Sequence, residues 1–144
     1  MRYHDFRLSS YLVSEYGSRI MLNLVLDYPG RRKEVSHIEF TDVACYRFSH
    51  TGGAIITDIS EEPVDSFVQK EEAYLLATAT SQGLPFWQKD AASYLQYLQK
   101  EDYRVWRLDS AVGFSGFIVA KKVEEKPEAI QLTTDKSGAS LLRV

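Results

Sequence analysis

The chain has 144 residues, 44% hydrophobic and 26% charged, the composition of an ordinary globular domain with enough apolar material for its own core. A formal charge of −3 leaves no basic field to attract nucleic acid, and no apolar run approaches a membrane span. Cys45 is the single cysteine, which excludes an intramolecular disulfide, and Met1–Asp5 lacks the apolar core of a signal peptide. A cytoplasmic protein forming one domain over 1–144, without nucleic-acid or membrane partners, is the expectation.

In chain order, residues 6–13 (FRLSSYLV) alternate weakly and end at the turn Tyr16-Gly17-Ser18. Residues 18–28 (SRIMLNLVLDY) then place Ile20, Leu22, Leu24, Leu26 and Tyr28 on one face, the period-2 pattern of a half-buried strand. The turn Tyr28-Pro29-Gly30 leads into Arg31-Arg32-Lys33, a short basic run that reads as a solvated loop. VSHIEF (35–40) continues past Asp42 as VACYRF, but Val43 falls on the wrong parity, so a bulge is expected near Thr41-Asp42. Thr51-Gly52-Gly53 reads as the turn of a hairpin into AIITDI (54–59).

The period then changes. Pro63 suits the first turn of a helix, and Val64, Phe67, Val68, Leu75 and Ala79 recur at helical spacing until Gln82-Gly83-Leu84-Pro85 ends the run. A second helix is expected from about Gln88 to Lys100, with Asp90 and Lys100 at the ends the helix dipole favours. Strands return at 103–108 and 114–122, where Phe114, Gly116, Ile118 and Ala120 share one face and Ser115, Phe117 and Val119 the other. Both faces are apolar, which predicts a strand covered on both sides, with Gly116 leaving room for a ring or a helix to approach. Glu124–Glu128 is a charged, proline-containing linker, and 129–144 is expected to form a final hairpin or a tail. The predicted fold is α+β: an antiparallel sheet of about six to eight strands, with two helices inserted between strands 4 and 5 and packed on one face.

Most chemical readings fail on context. Gly113-Phe114-Ser115-Gly116 superficially resembles a nucleophile elbow, yet the second glycine is one position early and a strand, not a helix, follows. Cys45 sits in an apolar strand with only Arg47 as a nearby cation, so it reads as a small buried hydrophobe. Glu61-Glu62, Glu71-Glu72 and Glu124-Glu125 are adjacent pairs whose members diverge, unlike carboxylates held across a scissile bond. His37 and Glu39 project from one strand face, and with His50 and Asp58 they could supply a metal site if the strands converge. The aromatic residues are the stronger signal: Trp87, Tyr94, Tyr97, Tyr103 and Trp106 crowd around the second helix and the strand after it. Aromatics left at a surface favour a protein interface.

His4-Asp5, the alternating strand with its basic turn, and IEFTDVACYRF (38–48) together resemble a broad set of small bacterial α+β proteins. The resemblance spans residues 4–60, and several members of that set are immunity proteins that neutralise toxins from neighbouring genes. It implies a protein that works by covering a target, with no catalytic residue to transfer.

The expected function is a non-catalytic protein-binding domain of the immunity type, using Trp87, Tyr94, Tyr97 and Trp106, with another protein as partner and no cofactor. Self-association through an exposed sheet edge is a second partnering option. The alternative is a small-ligand or metal-dependent enzyme using His37, Glu39 and His50.

Overall fold

The alternating residues that follow the first turn form a strand in the computed structural model, which describes residues 1–127. The expected final hairpin at 129–144 lies outside the described residues. Strand β1 (Arg7–Ser14) pairs antiparallel with β2 (Arg19–Leu26), with Arg7 opposite Val25 and Ser14 opposite Arg19. In β2 every second residue (Ile20, Leu22, Leu24, Leu26) is buried, so the period-2 pattern maps directly onto an inside and an outside face.

Strand β3 (Glu34–Glu62) is long and bent. Its first part pairs with β2, from Leu26 opposite Glu34 to Arg19 opposite Thr41. Its whole length pairs with β4 (Arg104–Pro127), from Ser36 opposite Pro127 to Glu62 opposite Val105. The register shifts between Val43 and Cys45, next to Asp42 at φ 54°, close to where parity predicted a bulge. That extra residue lets Val43 pack with Ile38 and Phe40, while Ala44 faces the opposite cluster.

The hairpin expected at Thr51-Gly52-Gly53 is absent, and this corrects the sequence reading. The chain does not reverse there: His50 lies opposite Phe114 and Ile55 opposite Val112, both on the same strand β4. Gly52 and Gly53 supply positive φ (126° and 66°) for a kink, and Gly113 (φ 74°) kinks β4 at the same level. A Cβ on Gly113 would overlap the Gly52 carbonyl and stand 2.6 Å from the Gly53 carbonyl oxygen. The kinks and the bulge divide the four strands into seven straight segments of one antiparallel sheet. The helices therefore follow the fifth segment, not the fourth. The α+β class with an antiparallel sheet stands.

The sheet curls until β1 meets the far half of β3. Arg7 pairs with Ile55, the Asp5 amide donates to the Ile56 carbonyl (2.9 Å), and the Ile56 amide donates to the Phe6 carbonyl (2.7 Å). Tyr3 and Phe6 are sealed inside this curl and meet edge to face at 5.0 Å.

 The Tyr3 hydroxyl donates to Glu125 Oε1 at 2.6 Å and lies 3.1 Å from Ser36 Oγ, so its one polar atom is satisfied where the ring is buried.

Three helices lie between β3 and β4: α1 (Val64–Lys70), α2 (Glu72–Ser81) and α3 (Ala91–Lys100). The single helix expected over 63–81 is broken at Glu71 (φ −102°, ψ 13°), whose carboxylate is held by Arg107 at 3.0 Å. Asp90 caps α3 by accepting from the Ser93 amide at 2.9 Å. None of the described helices is long and apolar enough to cross a membrane.

Strand β4 separates two apolar clusters. Its even residues Trp106, Leu108, Phe114, Ile118 and Ala120 face the inside of the curl with Ile20, Leu22 and Phe40. Its odd residues Val105, Phe117 and Val119 join Phe67, Leu75, Tyr94 and Leu98 of the helices. Burying one such side chain stabilises the fold by roughly 1.5–3 kcal/mol, which explains why this strand is apolar on both faces.

Candidate functional site

The turn between α2 and α3 is built by residues that cannot continue a helix. Gly83 (φ 85°) ends α2, Pro85 follows, and Phe86 is held at φ 71° before Asp90 starts α3. A non-glycine residue in this left-handed region is strained by roughly 1–2 kcal/mol. Phe86 is also 43% exposed, and its ring stacks on Tyr97 of α3 with centroids 4.7 Å apart and planes 19° apart. Tyr103 lies 6.1 Å from both rings, and the Lys121 ammonium sits 5.2 Å from the Tyr103 centroid. Burial pushes the Tyr103 phenol up to about 12, helped by the neighbouring Tyr97. The result is a small aromatic platform with Phe86 outermost.

The four aromatic residues singled out in the sequence do not form one surface. Tyr94 is fully buried beneath α3, where its hydroxyl donates to Cys45 Sγ at 3.3 Å. Trp106 is 7% exposed, packs 6.3 Å from Phe40, and faces the other side of the sheet. Trp87 and Tyr97 are half-buried, Trp87 against Tyr94 at 5.5 Å and Tyr97 under Phe86. Sequence reasoning passed over Phe86. The available signal was its position directly after Gly83-Leu84-Pro85, where an aromatic ring has no helix face to fall back on.

Three residues of the metal reading, His37, Glu39 and His50, each have another partner. The His37 ring lies 2.7 Å from Asn23 Oδ1 across the β2–β3 pair. Glu39 is ion-paired with Lys126 (2.6 Å) and Arg19 (2.8 Å). The Lys126 hydrogen bond, with the field of Arg19, holds the Glu39 carboxyl below the usual carboxylate range against the opposing effect of burial. His50 lies farther along β3, opposite Phe114, with its ring nitrogen 3.2 Å from the Tyr11 hydroxyl. Among the described residues, no group of three or more His, Cys, Asp or Glu is placed to hold a metal ion.

Cys45 lies on the helix side of β3, and burial pushes its thiol up to about 11, a shift that the Tyr94 hydroxyl only partly offsets. A thiol in that condition is a poor nucleophile at neutral pH. Ser115 lies in mid-strand opposite Ser49, with β structure on both sides, so no strand-to-helix turn presents it. It does line an open polar cleft of about 210 Å³ with Arg47, Ser49, Glu71, Arg107 and Asp109.

No protein-family model, curated protein or solved structure matches the chain.

Proposed function

We propose that the chain is a non-catalytic protein-binding domain of the immunity type, and that the Phe86 platform is the centre of its contact surface. The observation that carries this reading is Phe86 itself, a large apolar ring exposed to water on a backbone held at φ 71°. Strained, sparsely populated conformations tend to be retained where a site needs them. An aromatic ring already stacked on Tyr97 has little freedom left to lose on association. Trp87, the next residue in the chain, is half-buried against Tyr94.

Photo-crosslinking in the source cells tests the reading. A benzoylphenylalanine at position 86 should give one discrete adduct with another protein, and the same probe at the exposed Arg31 should not. Phe86→Ser, at unchanged melting temperature, should remove partner binding. In the immunity reading, that partner is toxic when expressed alone and is neutralised by the native chain but not by Phe86→Ser. Absence of any adduct at 86, or identical adducts at both positions, would sink the proposal.

A further inference from the structure

On the helix side of the β3–β4 floor, Phe117 and Val119 pack with the helices, and beside Phe117 the floor opens into the polar cleft, which Glu71 at the α1–α2 break also lines. The charges around this cleft are not all balanced. Arg107 is committed, donating to Glu62 at 2.7 Å and to Glu71 at 3.0 Å, and Lys70 reaches Glu62 at 3.5 Å, so the two cations balance these two carboxylates. Arg47 is different. Its guanidinium sits over the Tyr74 ring at 4.6 Å, and among the described residues it has no carboxylate partner.

Beyond the kink, Asp109 lies directly opposite Asp58 in the β3–β4 ladder. Opposed residues of an antiparallel pair share a face, and like charges placed this way repel. Neither aspartate has an ion-pair or hydrogen-bond partner among the described residues. The cleft thus offers an uncommitted cation near one end, uncompensated negative charge near the other, and the opposed hydroxyl-bearing residues Ser49 and Ser115 between them.

We propose that this cleft binds a small zwitterion of the α-amino-acid class, its carboxylate on the Arg47 guanidinium and its ammonium on Asp109, which lines the cleft beside its ladder partner Asp58. The planar guanidinium suits a carboxylate, which it can hold through paired charge-assisted hydrogen bonds. An ammonium group relieves the repulsion between the opposed aspartates. The volume, about 210 Å³, is below the roughly 300–1,000 Å³ typical of pockets for drug-sized ligands, which favours a ligand of few atoms. The site is separate from the Phe86 platform and does not depend on the protein-binding reading.

The test is thermal-shift and calorimetric titration of the full chain with the proteinogenic amino acids at about 10 mM, where mass action gives a measurable rise in melting temperature for millimolar or tighter binding. At least one small amino acid should raise the melting temperature by several degrees. Its methyl ester, lacking the carboxylate, and its N-acetyl form, lacking the ammonium, should not. Arg47→Gln and Asp109→Asn should each weaken binding by ~10-fold or more, the loss expected for a charge-assisted contact. Asp109→Asn should also raise the melting temperature of the unliganded protein by relieving repulsion, which separates loss of binding from loss of fold. No response to any amino acid overturns the proposal. So does equal binding of the N-acetyl form, which marks a simple anion site, or binding of calcium alone.

Discussion

Gly116 lies directly opposite Phe48 in the β3–β4 ladder, so close that a Cβ at 116 would stand 2.8 Å from the Phe48 ring and would overlap the Arg47 carbonyl. One obstacle is a side chain that could swing away, and the other is backbone that cannot. Gly116→Ala should therefore destabilise the protein by about 1–3 kcal/mol, the usual cost of overpacking a filled interior. Phe48→Ala in the same chain should not restore the loss, because the carbonyl contact remains. Urea denaturation of the single and double variants checks this, and full rescue would mean that the ring alone sets the constraint.

The helix α3 ends in a left-handed residue that is not glycine. Asp102 sits at φ 60°, with its amide bonded to the Gln99 carbonyl (3.2 Å) and the Tyr103 amide to the Leu98 carbonyl (2.9 Å), the paired bonds of a Schellman cap. An aspartate there is strained by its Cβ and places a negative charge at the negative end of the helix dipole. Asp102→Gly removes both penalties and should stabilise the protein by about 1 kcal/mol. A raised melting temperature is the expected result. An unchanged or lower value would show that the carboxylate has a compensating role.

Strand periodicity made the β2 pattern and the two-sided character of β4 readable in advance, because burial on one or both faces leaves a direct trace in residue type. The Gly52–Gly53 kink was misread as a turn for a physical reason. Positive φ serves a reversal and a kink equally well, and what decides here is Gly113, far along the chain but kinked at the same level. The break at Glu71 was hidden likewise, since it coincides with an ion pair to Arg107 that the local sequence does not contain. Aromatic content drew attention to the second helix and the strand after it, but the residues it singled out do not share one surface. Tyr94 and Trp106 are both aromatic residues flanked by strand or helix pattern in the sequence, yet they are buried on opposite sides of the sheet, while Phe86 between the helices is 43% exposed.

Acid should reveal the ion pairs of Glu39. Its folded carboxyl lies below its ordinary value, chiefly through the Lys126 hydrogen bond, so the unfolded chain takes up a proton first as pH falls. The contribution is complete above the unfolded carboxylate range, around pH 5, and is lost progressively below it. Glu39→Gln should be less stable than the native protein at neutral pH, with the difference shrinking as pH falls below about 5. Glu61 is lowered likewise by its hydrogen bonds from Arg104, so this variant should retain part of the acid sensitivity. Urea midpoints measured across the pH range check the prediction. A difference independent of pH would contradict it.

Cys45 reports on the helix layer above it. With its thiol pushed up to about 11 by burial, the thiolate population at pH 8 is on the order of 100-fold below that of an ordinary cysteine. Labelling of the native chain with a disulfide reagent should be slower than labelling of the unfolded chain by at least that factor, since access is restricted as well. Leu98 is fully buried on α3 in the same cluster, and Leu98→Ala should cost about 2–5 kcal/mol. If Cys45 is reached by opening of the helix layer, that variant should label faster in proportion to its loss of stability. A native rate close to the unfolded one would place the thiol in solvent and remove the basis for reading Cys45 as a packed, unreactive residue.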